Sequence, residues 1–112
     1  MKIAFTTKDP AWESMMEARF GRTYYVLVFD EQSGQITIHD NREIVNQEHG
    51  AGPKMAKMMA DLGVDVIITG NGPGENARAV LAQMNTVVYV GAGEMSVAEA
   101  YKAYQDGALE KF

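Results

Sequence analysis

An α/β fold with a mixed sheet, in the order β-β-β-α-β-α-β-α, is predicted by three observations on the 112-residue sequence. Short apolar runs rich in β-branched or aromatic residues are typical of strands, and they recur at residues 2–7, 24–30, 64–69 and 86–90. Amphipathic helical patterns separate the later runs. Glycine-rich loops follow the last two strands, as they do at the carboxyl edge of a parallel sheet. The length suits one domain with one core, residues 1–112.

The first three strands are expected to form an antiparallel meander. Residues 2–7 form the first strand, and the long stretch 8–22 that follows shows no clear periodicity. A loop of this length in a compact domain is usually functional or mobile. Residues 24–30 form the second strand, and a hairpin turn at 31–34 leads to a third strand at 35–41. The third strand is the most polar, so we expect it at the edge of the sheet.

Three helices and two further strands complete the predicted order. A loop at 42–52 precedes a helix at 53–62, whose apolar side is rich in methionine and for which Pro53 suits the first helical position. We expect these methionines to pack in the core rather than to bind copper. The next helix covers about 74–84. The last begins after Ser96, which with Glu99 forms a capping-box sequence, and ends at Gly107.

This order predicts that the functional site lies at one edge of the sheet, which we call the working edge. Strands that arrive by helical crossovers are parallel, so every helix N-terminus should lie on the same edge. The long or glycine-rich loops are expected there, namely 8–22, 42–52, 70–74 and 91–95. Free N–H groups and the positive ends of helix dipoles favour an anion at such an edge. Four cations of these segments could add charge: Lys8, Arg19, Arg22 and Lys54.

Composition argues against several classes of protein. A net charge of −5 and a pI near 4.9 are unlike a general nucleic-acid binder, which needs clustered Lys and Arg. No apolar run approaches the roughly 20 residues of a membrane helix, and the N-terminus leads directly into a strand without a signal peptide. The chain has no cysteine, which removes thiolate ligands and thiol nucleophiles. We therefore expect a cytoplasmic location, with no nucleic acid and no membrane as partner.

Enzymatic activity is also not expected. A nuclease that uses two metal ions needs carboxylates on its central strands. The first strand carries none, and the fourth offers only Asp65, near its start and far from the working edge. With two histidines in the chain, neither a Ser-His-Asp nor a His-metal arrangement is apparent.

Three motifs, taken in order, carry a resemblance. They are Arg19-Phe20-Gly21-Arg22 followed by an aromatic strand, Gly50-Ala51-Gly52 opening a helix, and the segment from Gly63 to Gly72. With the helix from Ser96 to Gly107 they cover nearly the whole chain, which resembles the dinitrogenase iron–molybdenum cofactor biosynthesis (nitrogenase accessory factor) family. The resemblance implies a ribonuclease H-like, three-layer fold with a five-stranded mixed sheet and flanking helices.

The resemblance also implies a function. It indicates non-enzymatic binding or carrying of a metal–sulfur cluster, either Fe–Mo–S or Mo–Cu–S, with donor or recipient proteins as partners; the cluster could be absent from the isolated protein. The orange-protein branch holds a molybdenum–copper sulfide cluster without covalent protein bonds, which is compatible with a chain that lacks cysteine. Cofactor-carrying members often have a His directly before the Phe-Gly pair, where this sequence has Arg19. Arg19 could hold an anionic cluster by charge and hydrogen bonds instead.

The candidate site residues come from these loops, and each has a plainer interpretation. The set is Arg19, Phe20, Gly21, Arg22, His49, Gly50, Gly52, Asn71, Gly72 and Gly74, with His49 as the candidate metal ligand. The arginines could equally be solvated or paired with Glu13 and Glu17, and a lone loop histidine is more often simply exposed. Trp12 could be a lid over the site or an anchor of the long loop. An interaction module that binds a small phosphorylated ligand at the same helix N-termini is the alternative function.

Overall fold

The computed structural model describes residues 1–45 and 51–112 and shows a mixed sheet of six strands, not five. The strands are β1 Lys2–Thr7, β2 Tyr25–Asp30, β3 Ile36–Asp40, β4 Val66–Ile68, β5 Val87–Val90 and β6 Glu110–Lys111, in the spatial order β3-β2-β1-β4-β5-β6. β1 pairs antiparallel with β2 and parallel with β4, and β4 pairs parallel with β5. The polar β3 lies at one edge, as expected. The unexpected β6 pairs antiparallel with β5 through two residues, too few to show any pattern in the sequence.

The helices confirm the expected order, with corrected boundaries. They are α1 Arg42–Val45, α2 Ala51–Asp61, α3 Glu75–Gln83 and α4 Val97–Gln105. The short α1 lies inside the stretch 42–52 that we expected to be a loop. Because α2 begins at Ala51, Pro53 is its third residue; it is still in the first turn, where its missing N–H costs nothing. Within the described ranges, no helix combines the length and apolar character needed to cross a membrane.

The sheet lies between two helical layers. Side chains of a strand point alternately to opposite faces, so in β1 Ala4 packs on one side while Ile3 and Phe5 pack on the other. α2 and α3 cover the Ala4 side, and α4 with part of the 8–22 stretch covers the opposite side. The methionines of α2 do pack in the core, since Met55 and Met59 are 0% exposed.

The last helix is capped as its sequence predicted. The hydroxyl of Ser96 accepts a hydrogen bond from the backbone N–H of Glu99 at 3.2 Å. The carboxylate of Glu99 in turn accepts one from the backbone N–H of Ser96 at 3.0 Å. This bond holds the pKa of Glu99 below its usual value. Gly63 and Gly107, with φ of 71° and 73°, follow the ends of α2 and α4 in the left-handed conformation that glycine adopts readily.

The 8–22 stretch is tied to the rest of the molecule, although the sequence suggested a functional or mobile loop. Isolated bridges join Thr7 to Met16 and Met15 to Ser96. Residues Phe20–Arg22 form a 3-10 helix. Trp12 is an anchor rather than a lid, because its ring lies edge-on to the ring of Phe5 at 5.8 Å between centroids and packs on neighbouring aromatic rings of β2 and α4.

Candidate functional site

Three loops of the working edge meet at Ala18. The carbonyl oxygen of Ala18 accepts a hydrogen bond of 2.7 Å from the backbone N–H of Asn71. Gly70 and Gly93 also press against Ala18: a Cβ at Gly70 would lie 2.6 Å from the Ala18 Cα and 2.7 Å from the Gly93 Cα. The expected convergence of the 8–22, 70–74 and 91–95 loops on one edge is therefore confirmed.

Close packing, not a positive φ, explains Gly70 and Gly72 of the 70–74 loop. The glycines with positive φ in the described residues lie elsewhere in the chain. Gly70 has no room for a side chain beside Ala18, and a Cβ at Gly72 would run into the ring of Phe112. Gly74 meets nothing within 4 Å. At Gly70 and Gly72 the space beside the backbone is thus occupied by parts of the chain itself, and the assignment of Gly72 and Gly74 to a binding site stays a prediction.

The 3-10 helix brings the Arg-Phe-Gly-Arg motif against the start of α2. Phe20 is only 2% exposed and belongs to the core cluster that includes Met55 and Ala77. A Cβ at Gly21 would lie 3.4 Å from the backbone nitrogen of Gly52. The motif therefore has two parts. Phe20 anchors the turn in the core, and the backbone of Gly21 lies next to the first turn of α2.

Arg19 is an exposed cation of this turn. Its side chain is 69% exposed, and its guanidinium forms a long ion pair of 3.5 Å with Glu17. The backbone N–H of Arg19 also donates to the Glu17 carboxylate at 3.2 Å. The Glu17 side chain is less accessible, at 13% exposure. Because the contact is long and the guanidinium is exposed to water, the pair contributes little to stability, and the guanidinium is accessible to another anion. Arg22 is also exposed, at the end of the same turn.

The helix N-termini at this edge differ in how their N–H groups are used. α4 already has its capping box, so it does not offer its first turn to a ligand, contrary to expectation. α3 starts at Gly74 without a side-chain cap, although Glu75 adds a negative charge in its first turn. The first turn of α2 carries no acidic residue and includes the exposed Lys54. The starts of α2 and α3 are thus the two places on this edge best suited to an anion.

Sequence reasoning missed a set of buried polar side chains that hold the edge in place. The hydroxyl of Thr6 lies 2.8 Å from the carbonyl oxygen of Glu17 and 2.9 Å from the hydroxyl of Thr69. Asn41, at 1% exposure, donates through Nδ2 to the carbonyl oxygen of Thr23 at 3.0 Å. Among the described residues, Asn41 Oδ1 has no hydrogen-bond partner. The threonines at strand ends were a signal that could have been used.

Direct metal ligation finds little support in the described part of the chain. There, no group of three or more His, Asp or Glu side chains is placed to hold a metal ion, and the whole sequence lacks cysteine. His39 lies half-buried on β3. The candidate ligand His49 and its neighbour Gly50 lie outside the described residues. Within residues 1–45 and 51–112, the groups suited to bind an anion are therefore backbone N–H groups and cations such as Arg19.

The fold and this edge define a class of protein, the three-layer α/β proteins with a ribonuclease H-like mixed sheet. Within that class, residues 1–107 match the family described as dinitrogenase iron-molybdenum cofactor. The chain belongs to this family.

Relatives of known structure have the same fold over nearly their whole length. The apo form of the orange protein from Desulfovibrio gigas is 27% identical, with a TM-score of 0.92, and the match covers 99% of this chain and 92% of that one. A candidate NifB protein from Thermotoga, assigned to the DUF35 family, is 31% identical with a TM-score of 0.84, over 98% and 91% of the two chains.

A relative found by sequence supports the same membership. An uncharacterized protein of Methanocaldococcus jannaschii is 33% identical over 117 aligned residues, which span all of this chain and 92% of that protein.

Proposed function

We propose that this protein binds and carries an anionic metal–sulfur cluster, of the Fe–Mo–S or Mo–Cu–S type, without catalysing a reaction. Membership of the iron–molybdenum cofactor family and likeness to the apo orange protein support a role in cofactor handling. The observation that carries the proposal is that the turn with the exposed Arg19 packs, through Gly21, against the start of α2, on the edge where α3 also begins.

The chemistry of this edge suits a sulfide cluster held without covalent bonds. A thiomolybdate-type cluster is an anion, and its sulfides can accept hydrogen bonds from N–H groups and from guanidinium. A Cβ at Gly74 would meet nothing within 4 Å, so a large anion can approach the first turn of α3. At Gly52, which lies next to Gly21 and Ala77, the proposal uses the positive end of the α2 dipole. In this proposal Arg19 and Arg22 supply positive charge, and the backbone at Gly21 and Asn71 forms the wall of the cluster site.

Two parts of the proposal rest on the sequence rather than on described contacts. His49, next to Gly50, is proposed as a nitrogen ligand to a soft metal in the cluster. Donor and recipient proteins are proposed as partners, because a carrier must load and unload its cargo. We also place the carrier in the cytoplasm.

The test is titration of the purified protein with tetrathiomolybdate and copper, followed by the visible spectrum. We expect intense new bands that saturate, and about tenfold weaker binding in Arg19→Ala, because one charge-assisted contact is lost. Lys102→Ala is the matched control, since Lys102 is also exposed and also forms one weak ion pair, with Asp106, but on α4. His49→Ala tests the proposed ligand separately.

Two results would contradict the proposal. One is a spectrum that stays the sum of its components at every ratio of copper to molybdenum. The other is an equal effect of Arg19→Ala and Lys102→Ala. Tight binding of inorganic phosphate or a nucleotide together with an unchanged spectrum would instead support the alternative, a module that binds a phosphorylated ligand.

A further inference from the structure

A groove of about 400 Å³ lies beside the C-terminal half of α3, and the described residues that line it do not include the turn that carries Arg19. Its walls come from the 70–74 loop, α3, β5 and the end of the chain, through Pro73, Arg78, Leu81, Val88, Lys111 and Phe112 among others. This volume is in the range of sites that take small organic molecules.

The floor of the groove is apolar and its charged side chains are cationic. Leu81 and Val88 are buried in the core and close the bottom. Arg78 and Lys111 are the charged residues of the lining, and no Asp or Glu is among the described residues that form it. This local charge is opposite to the net −5 of the whole chain. An apolar surface combined with positive charge is complementary to an apolar molecule that carries a negative group.

Neither cation is neutralised within the described structure. The Arg78 guanidinium lies 4.9 Å from the centre of the Phe112 ring, a cation–π contact that orients the side chain but leaves its charge. None of the ion pairs found among the described residues includes Arg78 or Lys111. A guanidinium held in this way can pair with a carboxylate through two parallel hydrogen bonds.

We propose that this groove is a second binding site, for a small organic anion with one carboxylate on a flat apolar body, such as an arylacetate. The carboxylate pairs with Arg78 and Lys111, and the apolar body covers Leu81 and Val88. A fully hydrophilic anion such as phosphate would leave that floor unmatched. The groove has the 70–74 loop in common with the proposed cluster site, but its cations are different ones, and it includes neither Arg19 nor the start of α2. Binding of the carboxylate therefore does not require the cluster function.

The test is an NMR titration of the isotope-labelled protein with phenylacetate, followed by backbone amide shifts. We expect saturable shifts in α3, β5 and the last residues, with a dissociation constant of ~1 mM or tighter for a ligand of this size. Acetate supplies the charge without the apolar body, and 2-phenylethanol supplies the body without the charge; both should bind much more weakly. Shifts confined to other surfaces, or none up to ~20 mM phenylacetate, would overturn the proposal.

Variants separate binding in the groove from general attraction of anions. Arg78→Gln should weaken phenylacetate binding about tenfold, whereas Lys57→Gln, which removes an exposed charge on α2 outside the groove, should not. Ala82→Leu fills the groove from an exposed position of α3 and keeps both cations. It should also weaken binding, and this variant covers the case in which loss of Arg78 disturbs Phe112. Unchanged affinity in both Arg78→Gln and Ala82→Leu would refute the site.

Discussion

The backbone of Ala18 lies so close to Gly70 that a methyl group on Gly70 would sit 2.6 Å from the Ala18 Cα. The second neighbour is also backbone, the Gly93 Cα at 2.7 Å, so no flexible side chain can move aside. We expect Gly70→Ala to lower the free energy of unfolding by about 1–3 kcal/mol, the usual cost of overpacking. Urea denaturation followed by circular dichroism measures this loss.

Gly74→Ala is the matched control for that substitution. Gly74 belongs to the same loop, but its φ is −64° and a Cβ there meets nothing within 4 Å. Since Gly74 is the N-cap of α3, where Ala is less suited than Gly, a cost below ~1 kcal/mol is expected. Equal losses in the two variants would show that the contact with Ala18 is not what restricts Gly70.

Trp12, the single tryptophan, should report the unfolding of the whole molecule and not of a separate loop. Its ring packs on Phe29 of β2 at 5.4 Å and on Tyr101 of α4 at 5.7 Å between centroids. We therefore expect Trp12 fluorescence and far-UV circular dichroism to change together during urea unfolding. Trp12→Ala should cost about 2–4 kcal/mol, because the side chain is only partly buried, and Trp12→Phe should cost less. A fluorescence transition at clearly lower urea would mean that the 8–22 stretch opens by itself.

Tyr101 gives the protein a specific sensitivity to alkali. Burial, and then the 2.7 Å hydrogen bond that its hydroxyl donates to Glu31, raise the pKa of Tyr101 to about 12. In the unfolded chain this pKa is near 10. The folded state therefore holds the proton more tightly, so this contribution to stability is complete below about pH 10 and is lost as the pH rises towards 12.

The measurement is urea unfolding at about pH 9 and pH 11, with a spectrophotometric titration of the tyrosines. In Tyr101→Phe the loss of stability between these pH values should be smaller than in the unmodified protein. Glu31→Gln should lower the pKa of Tyr101 while burial still keeps it above that of a free tyrosine. The explanation is wrong if Tyr101→Phe leaves the pH dependence of stability unchanged.

The sequence predicted those parts of the fold that depend on local pattern. The apolar runs that became β1 and β4, and the capping box at Ser96, follow rules that operate over a few residues. β6 and α1 are too short to show a period. The order of the 8–22 stretch could not be predicted either, because the bridge between Met15 and Ser96 joins residues far apart in the sequence.

The candidate site was predictable in position but not in detail. Topology was sufficient to bring Ala18 and Asn71 to one edge. The roles of individual residues depend on tertiary contacts: Phe20 turned out to be buried, and Gly72 faces Phe112 rather than open space. A glycine-rich loop in a sequence predicts that another group lies close to its backbone, but it does not identify that group.

The parallel arrangement of α2 and α3 affects how the proposed cargo would arrive. Both helices start at the same edge, so their dipoles add in one direction across an acidic protein of net charge −5. The net charge repels an anionic cluster that diffuses in solution, whereas the positive ends of the two helices attract it towards that edge, which favours encounters in a productive orientation. Such steering weakens as added salt shortens the Debye length, so ionic strength should slow the association with the cluster more than it changes the release.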